Sequence, residues 1–158
     1  MAAAISDLRQ APETELPPGA LMGLDLGART IGIAVSDIRQ KIVTPLKTLR
    51  RTRFTRDAEE LLALARDRQV SGFVLGLPLN MDGSEGPRCD ATRSFARSLA
   101  RMTDLPILLW DERLSTAAAE ETLRAAGLSH RRRAEVIDHV AAAHILQSLL
   151  DRRRASHG

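Results

Sequence analysis

The 158-residue chain has room for one domain with its own core, and its 44% hydrophobic and 27% charged residues are ordinary for a globular protein. No apolar run approaches the roughly 20 residues of a membrane span, and a lone cysteine, Cys89, excludes an internal disulfide. The net charge of +3 and pI of 9.9 rest almost wholly on arginine, with Lys41 and Lys47 the only lysines. The arginine fork binds two phosphate oxygens at once. Its clustering at Arg50, Arg51, Arg53 and Arg56, at Arg88, Arg93, Arg97 and Arg101, at Arg131 to Arg133 and at Arg152 to Arg154 is a footprint of nucleic-acid binding. With no tyrosine, three phenylalanines and one tryptophan, binding of single strands by base stacking alone is excluded.

Residues 1–20 carry Asp7, Glu13 and Glu15, four of the Pro and Gly residues and no apolar periodicity, so a flexible tail without a secretory signal is expected, and with it a cytoplasmic protein. Apolar strands follow at 21–26, stopped by Gly27, and at 31–35. The link between them is too short for a crossover, so they pair as an antiparallel hairpin. Residues 42–49 add a weaker strand at the edge, where Pro45 is tolerated. Phe54, Ala58, Leu61, Leu62 and Ala65 recur at helical spacing and predict a helix over 55–69. The run 72–77, ended by Pro78, reads as a buried parallel strand. After a loop at 80–87, Phe95, Leu99 and Met102 mark a second helix, and 105–110 another buried strand. A helix over 115–126 closes on Gly127, and a last helix covers about 133–153.

This order predicts an α/β domain over 21–152, a five-stranded mixed sheet of ribonuclease-H-like layout flanked by helices, with a basic tail at 153–158. Acidic residues sit at three places where a core would exclude them. Asp25 lies inside a central strand between Leu24 and Leu26; it either bonds the Gly27 turn or aims a carboxylate at a site on the sheet. Asp111 and Glu112 end a strand on the carboxyl side, where α/β sheets place ligand groups, unless one of them serves the helix capped by Ser115. Alternation allows at most one of the two to face Asp25. Asp138 begins a stripe continued by Ala141, Ala142, Ile145, Leu146 and Leu149, so it faces the sheet and needs a partner, either Arg113 or a metal shared with the other carboxylates. Convergent carboxylates suit Mg²⁺ or Mn²⁺, and such metals activate water and stabilise the leaving oxygen of a phosphodiester.

Four segments, Gly23-Leu-Asp25-Leu-Gly27-Ala-Arg-Thr30-Ile-Gly32, Gly76-Leu-Pro78-Leu-Asn80-Met-Asp82-Gly83, Asp111-Glu112-Arg113-Leu-Ser115-Thr116 and the Asp138 helix, together resemble the YqgF/RuvX family from about residue 21 to 150. The resemblance implies a RuvC-like ribonuclease H fold. It implies a metal-dependent nuclease that either matures the 5′ end of pre-16S rRNA, with a ribosomal precursor particle as partner, or resolves DNA four-way junctions. It places the family's catalytic and metal-binding acids on Asp25, Glu112 and Asp138, choosing Glu112 over Asp111. Arg29 and Arg113 become candidates for phosphate contacts, and the loop with Asn80 and Asp82 for the wall of a substrate groove. Ala141 stands where RuvC carries a fourth acid. Structured RNA is favoured over a DNA junction, because symmetric resolution needs a dimer and no dimer seam is visible. Two other classes fit the sequence less well: a fragment of an actin-like ATPase, which needs two such lobes, and a non-catalytic RNA-binding module, against which the three intact acids argue.

Overall fold

A computed structural model describes residues 3–113 and 130–157, with side chains for 3–113 and 139–154. Its strands are β1 (Ile5–Asp7), β2 (Ala20–Leu26), β3 (Thr30–Ser36), β4 (Val43–Arg50), β5 (Val70–Leu77) and β6 (Ile107–Asp111); its helices are α1 (Phe54–Asp67), α2 (Pro87–Ala100) and α3 (His130–His157). One sheet runs in the order β1-β6-β5-β2-β3-β4. Among the described strands β3 alone runs against the rest, antiparallel to both β2 and β4, while β1, β6, β5 and β2 are mutually parallel. The carboxyl ends of β2, β4, β5 and β6 therefore share one edge of the sheet.

The alternation of side chains along each strand assigns the two faces. Met22, Leu24 and Leu26 of β2, with Phe73, Leu75 and Leu77 of β5 and Ile107 and Leu109 of β6, pack with Ala58 and Leu61 of α1 and Phe95 and Leu99 of α2. The opposite parity, Leu21, Val74 and Leu108, packs against Ile145, Leu146 and Leu149 of α3. Close approach on that face depends on Gly23, where a Cβ would stand 3.0 Å from the Ala142 carbonyl oxygen. The edge strand β4 slips register against β3 between Lys47 and Pro45, so the proline sits at a bulge where it need not donate.

Three expectations are corrected. The sheet has six strands, not five, because residues 5–7 pair with 107–109. The segment read as a flexible tail is fastened: Ala3 N–H donates to Ala100 O at 2.8 Å, Leu8 N–H donates to Leu109 O at 3.1 Å, and Leu8 is 1% exposed. Three residues, two of them polar, are too few to show alternation, and their partner strand lies about a hundred residues away. At the other end, residues 153–157 are not a separate tail but continue α3, with Arg154 bonded to Asp151 at 2.8 Å. The expected helix over 115–126 lies outside the described residues, as do the side chains of Arg131 to Arg133 and Asp138. No described helix is long and apolar enough to cross a membrane.

Candidate active site

The parity that buries Leu21, Val74 and Leu108 under α3 also places Asp25 and Glu112 on that face, at the carboxyl ends of β2 and β6. Glu112 directly follows β6, and its N–H still donates to Leu77 O at 3.2 Å, so the backbone holds it in line with the sheet. Its side chain turns inward over Gly76 of β5 and is 7% exposed. There it meets the Asp25 carboxyl by hydrogen bond and by like charge. Glu112 Oε2 is nevertheless buried without a hydrogen-bond partner.

A buried carboxyl facing a second carboxyl resists ionisation. Burial first, and the Asp25 charge second, push Glu112 up to about 8; the Arg88 guanidinium, in the first turn of α2, pulls the other way. A divalent cation fits this donor set. It would give the orphaned oxygen a partner and remove the repulsion, with oxygen ligands only. Among the described side chains no three metal-ligating groups cluster. Asp138 lies on α3 one turn before Ala141 and Ala142, which are buried against the sheet.

Asp111 has the opposite parity and a different role. Burial opposes its charge, but Arg113 more than offsets this through hydrogen bonds and charge, holding the carboxyl below its usual range. Arg113 clasps Asp111 with Nη2 at 2.7 Å and Nε at 3.0 Å, and its Nη1 donates to Met81 O at 3.3 Å. The residue expected to touch phosphate thus ties the end of β6 to the loop after β5. Asn80 and Asp82 fold that loop on itself. Asn80 Nδ2 donates to Ser84 Oγ at 3.0 Å, and Asp82 Oδ1 accepts from Ser84 N–H at 2.9 Å and from Ser84 Oγ at 2.6 Å. The Ser84 hydroxyl, its amide and the Arg113 charge keep Asp82 ionised below the usual carboxylate range. Arg29 is exposed on the turn between β2 and β3.

Sequence reasoning missed two things here. One is Arg88, the cation closest in effect to Glu112. The other is a brace outside the pair. Arg93 of α2 binds Glu85 through Nε at 2.7 Å and Asp7 of β1 through Nη2 at 2.7 Å, while Arg9 reaches Glu85 at 2.9 Å. In the sequence Arg93 stands out only as a member of the cluster from Arg88 to Arg101, which points to phosphate and not to Glu85 or Asp7.

A mixed sheet with this strand order and a carboxylate pair at the carboxyl ends of β2 and β6 defines a protein of ribonuclease-H-like class. The fold is similar to that of Thermus thermophilus RuvC in complex with a Holliday junction substrate (TM-score 0.54, 13% identity, 85% of this chain and 96% of that one). It is similar also to the yeast mitochondrial Holliday junction resolvase (TM-score 0.50, 11% identity, 94% and 87%). The family model described as "RuvX: Holliday junction resolvase" matches residues 19–152, and the chain belongs to that family. A relative from Ruegeria pomeroyi is 61% identical over 140 residues, 88% of this chain and 91% of its own. One from Rhodobacter capsulatus is 60% identical over 134 residues, 85% and 84%. Both carry the name "Putative pre-16S rRNA nuclease".

Proposed function

We propose that the protein is a divalent-metal-dependent endonuclease that hydrolyses a phosphodiester bond at the 5′ end of pre-16S rRNA, working in the cytoplasm on a ribosomal precursor particle. The observation that carries the chemistry is the buried Glu112 carboxyl, unpartnered at Oε2 and pressed against Asp25. Apart from a cation, nothing in ordinary packing favours such a pair. Asp25, Glu112 and Asp138 would hold Mg²⁺ or Mn²⁺, which supplies Lewis-acid charge for water activation and for the leaving oxygen. The chain's own part is to fix the carboxylates on rigid strand ends, to keep Glu112 out of bulk water, and to present Arg88 and Arg29 for phosphate oxygens. The RNA substrate rests on the names of relatives 60–62% identical to this chain.

The family description and the RuvC-like fold favour a second reading, a DNA junction resolvase. One experiment separates the two. Purified protein with Mg²⁺ or Mn²⁺ is offered, in parallel, an RNA spanning the pre-16S 5′ end and a four-way DNA junction. Cleavage of the RNA, lost in Glu112→Gln, is expected. Symmetric cutting of the junction with the RNA left intact would replace the first reading by the second.

A further inference from the structure

Topology brings Arg29, on the turn after β2, to the sequence cluster of Arg50, Arg53 and Arg56 at the end of β4 and the start of α1. Thr30 pairs with Arg50 across β3 and β4, and Arg51 N–H donates to Arg29 O at 2.9 Å. Arg51 then locks this junction: its Nη1 donates to Gly27 O at 2.6 Å, and its guanidinium lies 5.6 Å from the centre of the Phe95 ring. The turn after β2 and the passage from β4 into α1 are therefore one body. Arg29, Arg50, Arg53 and Arg56 are all exposed on it.

Their charges stay available. No hydrogen bond or ion pair joins the four guanidinium groups to any described residue, whereas three arginines on the other side of the site, Arg9, Arg93 and Arg113, are each spent on a carboxylate. The neighbouring acids on this side are occupied too. Asp57 is buried and accepts from Thr52 N–H and Oγ1, and Glu60 pairs with Lys47 at 3.2 Å. Glu59 lies a turn further along α1. From the end of β2 to the end of β4 is two strand spacings, about 10 Å, the rise of about three stacked nucleotides. Arg88 stands on the far side of the carboxylate pair, with its side chain exposed and likewise unpaired among the described residues.

We infer that Arg29, Arg50, Arg53 and Arg56 form a phosphate-binding ridge along which the nucleic-acid backbone runs toward Asp25 and Glu112, leaving past Arg88. The inference rests on the nuclease reading for its substrate class but not for its test. It adds which edge of the domain the strand follows, and it makes the contact one of charge rather than base recognition.

The test measures binding without cleavage. A 5′-labelled single-stranded RNA of mixed sequence, and the DNA of the same sequence, are titrated in EDTA over a series of salt concentrations, with fluorescence anisotropy as readout. The variants are Arg50→Ala/Arg53→Ala/Arg56→Ala, the same three changed to Lys, and Arg39→Ala/Arg68→Ala at the opposite edge. Thermal melts establish that each is folded. At about 0.7 counterions per phosphate contact on a single strand, the alanine triple variant is expected to reduce the slope of log K against log salt by about 2. Its affinity at moderate salt is expected to fall at least roughly tenfold. The lysine variant is expected to keep the slope, and the opposite-edge variant to match the wild type. Equal losses on RNA and DNA are expected from contacts to phosphate. An unchanged slope in the alanine variant, an equal loss in the opposite-edge variant, or a loss confined to one nucleic acid would overturn the ridge. Intact ridge behaviour with no cleavage of any substrate by the wild type would instead count against the nuclease reading alone.

Discussion

Gly76 and Glu112 compete for one volume: a Cβ on residue 76 would stand 2.5 Å from Glu112 Oε2 and 2.6 Å from Ile145 Cδ1. The hydrogen at that position is what lets an acid from the next strand fold under α3 and reach Asp25. Gly76→Ala is expected to lower stability by about 1–3 kcal/mol through overpacking and to displace the carboxyl. Melting temperature and cleavage rate should fall together. A variant that melts like the wild type and cuts at the same rate would mean that Glu112 has another place to go.

Parity also separates the two adjacent acids. Glu112→Gln keeps the shape and deletes the charge, and cleavage is expected to drop at least ~10²-fold, as for loss of a preorganised electrostatic group. Asp111→Asn loosens only the clasp on Arg113 and is expected to cost much less. Side-by-side turnover rates decide it, and the reverse ranking would make Asp111 the ligand.

In metal-free protein the same carboxyl gives a pH signature. Its folded value of about 8 lies above the ordinary 4.5, raised first by burial and then by Asp25. Between those values the folded chain holds a proton that the unfolded chain has released, so this group's contribution to stability declines as pH rises from about 5 to about 8. Melts in EDTA across that range are expected to show a decline that Glu112→Gln removes. If both proteins give the same profile, the carboxyl is not held protonated by its surroundings.

The Asp7–Arg93–Glu85 brace predicts a remote effect. Asp7 is 8% exposed at its side chain, and Arg93→Ala would leave it without its closest cation. A loss of about 1–3 kcal/mol is expected, with faster amide exchange in residues 78–86 and little change in β2. Uniform loosening of the whole sheet would mean that the brace supports the fold and not that loop.

Much of this was legible in the chain. Short apolar runs announced β2, β3, β5 and β6, and an aspartate flanked by Leu24 and Leu26 marked a candidate site, since a charge inside a strand needs a partner. Alternation foresaw that Asp111 and Glu112 would part company, although choosing between them took the motif. What stayed hidden depends on distant partners. β1 is recognisable only through β6, and Arg113 looks like a phosphate ligand until Asp111 and Met81 are seen around it. Arg88 and Gly76 acquire meaning only from the position of Glu112.

The pairing of Ile5 with Ile107 has a consequence for how the chain is made. β1 waits for its partner, because the edge it joins is synthesised about a hundred residues later. Until then the central strands can form their hairpin and crossovers alone. β1 then arrives as a latch, and Asp7 closes on Arg93 in the same movement that completes the sheet. Attaching a bulky fusion ahead of residue 3 would burden that pairing, whereas one behind α3 would leave it free.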